Sequence, residues 1–291
     1  SAKRMDQWTT QPIENGISIN ATANADKQAT ATICFSNAVV NKRMSVFGAG
    51  ADAGAGWFRF AAGTTNDFNC DVFLKAPLGY VSAGADAVIR FNGGLGGSGE
   101  TRFRGESAER RATYVMTKPV YAGGGGGWRV YDNATVVLAC PSNFAGAAAG
   151  ISTYANGSRI EMTVDDAYIS PKNFGINYEG CVVDIHGTKQ FISLLNDGVG
   201  GKGGNAKSTI VGEYGSVFGV EDGKSAQDFA GGVSLVAMGA SGKEFCVTNK
   251  ALTSFGDVAA TSSKLTFSPA SSWLNGTNVT GSINATGFAS I

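Results

Sequence analysis

At 291 residues, with 23 basic and 23 acidic side chains, the chain carries no net field that would draw it to nucleic acid or to an anionic bilayer. Hydrophobic residues make up 43%, enough for a continuous core, and 42 glycines against six prolines describe a backbone that turns often without proline, which excludes a helical bundle. No run of 18 or more apolar residues occurs, so no membrane insertion through a helix is expected.

In chain order, the sequence begins at Ser1 without a charged-then-apolar leader, which fits a mature protein after signal removal or a piece of a longer one. Residues 1–14, holding Met5 and Trp8, stand outside any repeat and are expected to cap the first coil, with residues 15–291 forming one domain. Helical periodicity longer than two turns is scarce. What recurs is an alternating apolar segment of four to six residues preceded by Gly, Asn, Ser or Ala. It occurs at residues 15–19, 85–91, 132–138, 156–162, 179–185, 214–220, 241–247 and 262–267. Between equivalent glycines the spacing varies: 23 residues from Gly157 to Gly180, 35 from Gly180 to Gly215 and 27 from Gly215 to Gly242. A solenoid tolerates this, because insertions fall outside the stacked strands.

The expected fold is therefore all-β: a right-handed single-stranded parallel β-helix (solenoid). A β-sandwich also offers many short strands. Runs such as 44–47 and 57–60 are too short for long hairpins, and each is marginal unless strands above and below complete its sheet. Coils about 4.8 Å apart would make a column. Alternation assigns Ile160, Met162 and Val164 to the interior of one coil, Val183 and Ile185 to the next, then Phe218 and Val220, then Phe245 and Val247. The odd set of Cys34, Cys70, Cys140, Cys181 and Cys246 contains no C-x-x-C pair. In the apolar settings of Cys34 and Cys140, free cysteine reads as a small buried hydrophobe, and no metal site is expected.

Two glycine-rich segments, 91–101 and 195–204, look alike. In both, an apolar residue precedes a glycine-rich turn and a fresh strand. Over residues 85–250 the chain resembles the β-helical passenger repeats of bacterial autotransporter and related surface adhesins. The resemblance implies export to the cell surface or medium and work as an adhesin, stalk or scaffold. The five cysteines and the absence of a membrane barrel in these residues depart from that pattern.

Local motifs for chemistry are poor. Gly94-x-Gly96-x-x-Gly99 matches a dinucleotide fingerprint in letters, but residues 101–104 read as a strand where the fingerprint needs a helix, so no cofactor is expected. Residues 219–225 miss a phosphate loop by one residue. The single histidine, His186, excludes a histidine-rich metal site, and no G-x-S-x-G elbow accompanies it. One constellation arises from stacking. Glu161 and Asp184 fall at equivalent outward positions of consecutive coils, Asp184 and His186 are i, i+2, and Glu221 aligns one coil later. A carboxylate pair about 5–9 Å apart is what glycoside hydrolysis uses. Against this stands the ordinary expectation that outward charges on a solenoid are mostly solvated. The same holds for six Asn-x-Ser/Thr sites, at Asn20, Asn133, Asn156, Asn275, Asn278 and Asn284, which turn composition explains as well as glycosylation does.

The sequence thus points to an extracellular or cell-surface structural or adhesive β-helix without catalysis. The alternative is a polysaccharide-active glycoside hydrolase or lyase using Glu161, Asp184 and His186. Expected partners are further copies of the chain, in an oligomer or filament, and glycans or a host surface. No nucleic-acid partner is expected.

Overall fold

The structure is a computed structural model. It describes residues 17–21, 33–48, 58–123, 127–144, 150–154, 157–170, 173–176, 181–192 and 194–196, followed by separate strands between 208 and 286. Among these residues every regular element is a β-strand, and the strands pair in parallel, coil upon coil, as a β-solenoid.

Among the described residues up to 196, the coils contribute strands to three rows. The first row is an eleven-stranded sheet that starts at Val39–Val40 and Thr65–Phe68 and ends at Val258–Thr261 and Ile283–Thr286. Backbone partners in it are separated by one coil: Ala112 pairs with Ala134, and Arg159 with Val182. The second row follows around the corner, through Met44–Gly48, Val120–Gly123 and Tyr168–Ile169. The third runs through Phe58–Phe60, Trp128–Tyr131, Ile151–Thr153 and Asn173–Ile176. Two long strands, Val72–Ala83 and Leu95–Gly105, belong to both of these rows and join them into one thirteen-stranded sheet.

Alternation explains the packing, because successive side chains of a strand point to opposite sides. In Ala112–Met116 the alternate residues Ala112, Tyr114 and Met116 are buried, while Thr113 and Val115 are partly exposed. In-register stacking turns such residues into vertical rows. One runs Ile89–Tyr114–Val136–Ile160–Val183, and beside it runs Phe68–Phe91–Met116–Leu138–Met162. Rings fill the remaining interior. Phe35, Phe58, Phe60, Phe68 and Phe91 pack with centroids 5.1–6.3 Å apart. A second series continues through Phe103, Trp128, Phe144, Tyr168 and Phe174.

Several of the polar groups inside are paired, whereas Ser45 Oγ and Trp128 Nε1 are buried without a hydrogen-bond partner among the described residues. Gln190 is buried, donates to the Val164 carbonyl and to Thr188 Oγ1, and accepts from the Ala167 amide. At the corner after the first row, Asn92 donates to Asn69 and Asn69 to Asn41, each at 3.0 Å, while Thr117 donates to Asn92 at 3.1 Å. This side-chain ladder repeats the backbone pattern outside the sheet.

Several expectations need correction. Val183 pairs with Ile210, not with the segment holding Phe218 and Val220. Phe218 lies in a separate four-stranded sheet, between Gln190 and Val247. The segments 214–220, 241–247 and 262–267 therefore belong to a different sheet from 85–91, 132–138, 156–162 and 179–185, and the 35-residue spacing from Gly180 to Gly215 is one coil plus a change of sheet. The first glycine-rich segment is chiefly strand rather than turn, since Leu95–Gly105 is continuous. Its glycines answer to close stacking. A Cβ on Gly93 would lie 2.1 Å from the Cys70 carbonyl oxygen, and one on Gly97 2.5 Å from that of Leu74. Cys34 is exposed and Cys140 half-buried, whereas Cys70 and Cys181 are buried; all four are free thiols. The expected cap at 1–14, Glu221, and residues 197–204 of the second glycine-rich segment lie outside the described residues.

Candidate functional site

The strand Arg159–Met162 puts Ile160 and Met162 inside and leaves Arg159 and Glu161 on its outer side. One coil on, Val182–Asp184 pairs with it so that Asp184 is the backbone partner of Glu161. The two carboxylates are thus neighbours across adjacent strands. Arg159 lies between them, with Nε 2.7 Å from Glu161 Oε1 and Nη2 bonded to Asp184 Oδ2. His186 sits in the turn that follows, at a left-handed φ of 47°, and Asp184 Oδ1 accepts its backbone N–H at 2.9 Å. The imidazole approaches both acids, with Nε2 3.4 Å from Glu161 and Nδ1 3.7 Å from Asp184.

The structure therefore brings Glu161, Asp184 and His186 together, and adds Arg159, which motif reading had passed over. The expectation that these outward charges are mostly solvated is corrected: Asp184 is only 8% exposed, because the arginine and histidine cover it. The guanidinium fills the space between the carboxylates, where a glycosidic oxygen would have to lie. Two pockets of the described surface lie elsewhere. One, of about 390 Å³, lies beneath residues 104–108 and is bordered by Asp132 and Asn133. The other, of about 410 Å³, is more apolar and lies around Cys34, Phe35 and Phe60.

A second cluster, on the third row, has no counterpart among the sequence expectations. Glu100 and Arg102 alternate outward on Leu95–Gly105, and Arg129 is the backbone partner of Arg102 in the next coil. Glu100 accepts from Arg102 Nε through Oε1 and lies 2.9 Å from Arg129 Nη2 through Oε2. Rings flank the cations. The Arg102 guanidinium is 5.2 Å from the ring centroids of both Tyr80 and Tyr131, and that of Arg129 is 4.3 Å from Tyr154. Tyr131 and Tyr154 in turn lie 4.9 Å apart. Burial pushes the Tyr131 hydroxyl up to about 12, against the pull of the neighbouring arginines. Burial also disfavours the Arg102 charge, but the bond to Glu100 and the flanking tyrosines outweigh it and hold its pKa above the usual arginine value.

No cluster of three or more metal-ligating side chains is found among the described residues, and no helix of those residues is long and apolar enough to cross a membrane. Comparison with protein-family models, with curated proteins and with solved structures finds no match to this chain.

Proposed function

We propose that the chain is an extracellular or cell-surface structural or adhesive β-helix, a passenger, stalk or self-assembling protein that works without catalysis. The supporting observation is how its outward charge is used. Arg159 clamps both members of the aligned acid pair Glu161 and Asp184, and neither of the two pockets described above contains that pair. A column of in-register coils with a filled interior suits a rigid spacer, and it presents long side-chain rows that a flat partner can engage. Incubation with a panel of neutral and acidic polysaccharides, followed by reducing-end release and by ultraviolet absorbance of unsaturated products, is expected to show no turnover. Light scattering across a concentration series tests assembly, and a strict monomer at high concentration removes the self-assembling form of the proposal.

One observation favours a second reading, a polysaccharide hydrolase or lyase: the only histidine converges on Glu161 and Asp184. Turnover abolished by Asp184→Ala would establish it and overturn the first.

A further inference from the structure

The third-row cluster has the composition of a ligand platform. Two arginines meet a single glutamate, so the patch keeps one positive charge in excess. Arg102 and Arg129 are partly exposed, with 21% and 27% of their side chains accessible, and the half-buried rings of Tyr131 and Tyr154 lie beside them. Such rings offer faces for the C–H side of a pyranose, and a planar guanidinium offers paired donors to a carboxylate or sulfate. The arrangement climbs from one coil to the next, so it follows the column axis. Beside it on the same strand is Arg104, the backbone partner of Tyr131 and a border of the 390 Å³ pocket.

We propose that this strip binds an anionic polysaccharide lying along the column axis, with Arg129 and Arg102 holding its acidic groups and Tyr154 and Tyr131 stacking on its sugar rings. The inference rests on the adhesive reading above and supplies its ligand class. Glu100 decides between a glycan and a nucleic acid. A carboxylate at the centre of the patch accepts bonds from sugar hydroxyls, which every unit of a polysaccharide provides and a DNA backbone does not. Excess positive charge disfavours cationic glycans and gives neutral ones no ionic partner.

Binding of the full chain to immobilised polygalacturonate, a sulfated glucan, a neutral glucan and oligo-dT tests the proposal by surface plasmon resonance at low and high salt. Expected are salt-sensitive binding to one or both anionic glycans, no comparable binding to the neutral glucan or oligo-dT, and a loss of about tenfold in affinity for Arg129→Gln and for Tyr154→Ala. The two anionic arms separate carboxylate from sulfate as the recognised group. Arg129→Lys keeps the charge but not the planar fork, and is expected to recover only part of the affinity. Thermal melting identifies any variant that has lost its fold, and Arg129→Lys then carries the test. Absence of binding to both anionic glycans, equal binding to the neutral one, preference for oligo-dT, or full binding by folded variants each overturns the inference. A failure here leaves the turnover assay unaffected, so a scaffold without this ligand stays distinguishable from an enzyme.

Discussion

The two outward clusters are the same arrangement with the signs reversed. On the first row, Arg159 binds Glu161 two residues along its own strand and Asp184 diagonally in the next coil. On the third row, Glu100 binds Arg102 two residues along and Arg129 diagonally in the next coil. The central residue alone decides what each patch offers. A cation in the middle leaves an acid-rich patch drawn inward and covered by His186, while an anion in the middle leaves two arginines held beside tyrosine rings. Parallel in-register stacking makes such a triad available wherever the residue that stacks diagonally one coil away is also charged.

Both clusters are taken to stand on one shared interior, and the largest predicted effect tests that. Ile160→Asp and Val130→Asp each place a charge where the wild-type side chain is fully buried, and each is expected to cost several kcal/mol and to abolish the cooperative melt followed by circular dichroism. Retention of fold by either variant would separate the two regions into independent units.

Next in size is the asymmetry between the central residues. Arg159→Ala leaves a nearly buried aspartate beside a glutamate and is expected to destabilise by about 2–3 kcal/mol in urea unfolding. Glu100→Ala leaves its arginines supported by rings and is expected to cost about 1 kcal/mol. Equal losses would mean that the tyrosines contribute nothing to holding the cations.

Alkali sharpens the contrast further. The Tyr131 hydroxyl is raised to about 12 by burial, so between pH 10 and 12 the unfolded chain gives up a proton that the folded chain keeps. Stability is then complete below about pH 10 and falls as the pH rises toward 12. Tyr131→Phe is expected to shallow that fall, and Arg159→Ala to leave its slope unchanged. Tyr114, whose buried hydroxyl lies 2.8 Å from the carbonyls of Val81 and Arg104, is also raised far above the ordinary tyrosine value and adds to the same decline in both variants.

The smallest effect is chemical. Cys34 is exposed, whereas burial pushes the Cys70 thiol up to about 11. A thiol-specific dye at pH 8 is expected to label Cys34 first and to leave Cys70 unmodified until the chain unfolds, with no measurable change in stability on labelling.

Much of the fold was readable in the sequence because glycine-punctuated alternation has few solutions, and the pairing of Ile160 with Val183 and of Glu161 with Asp184 follows from the segments themselves. Position within the coil was harder to read. Strands of the different sheets share one apolar rhythm, so the segment holding Phe218 looks equivalent to the one holding Val183 although the two pair in different sheets. Glycine carries no burial signal, which is why strand Leu95–Gly105 resembled a turn. Arg159 carries no signal of its own beside a carboxylate pair, and the third-row cluster exists only where Arg102 meets Arg129 across coils. Their alignment depends on a coil length that the glycine run before Trp128 conceals.

The offset between paired strands, which runs from 20 residues (Glu244 to Lys264) to 29 (Val217 to Cys246), has a kinetic consequence. Adding a coil closes a loop of similar length wherever along the chain it occurs, so the entropy cost of each step is nearly uniform and no distant ends have to meet before contacts are gained. Assembly can therefore start at any coil and spread to its neighbours, and the aromatic-rich stretch from Phe58 to Phe91 is the natural seed, since its rings reward the first closure most.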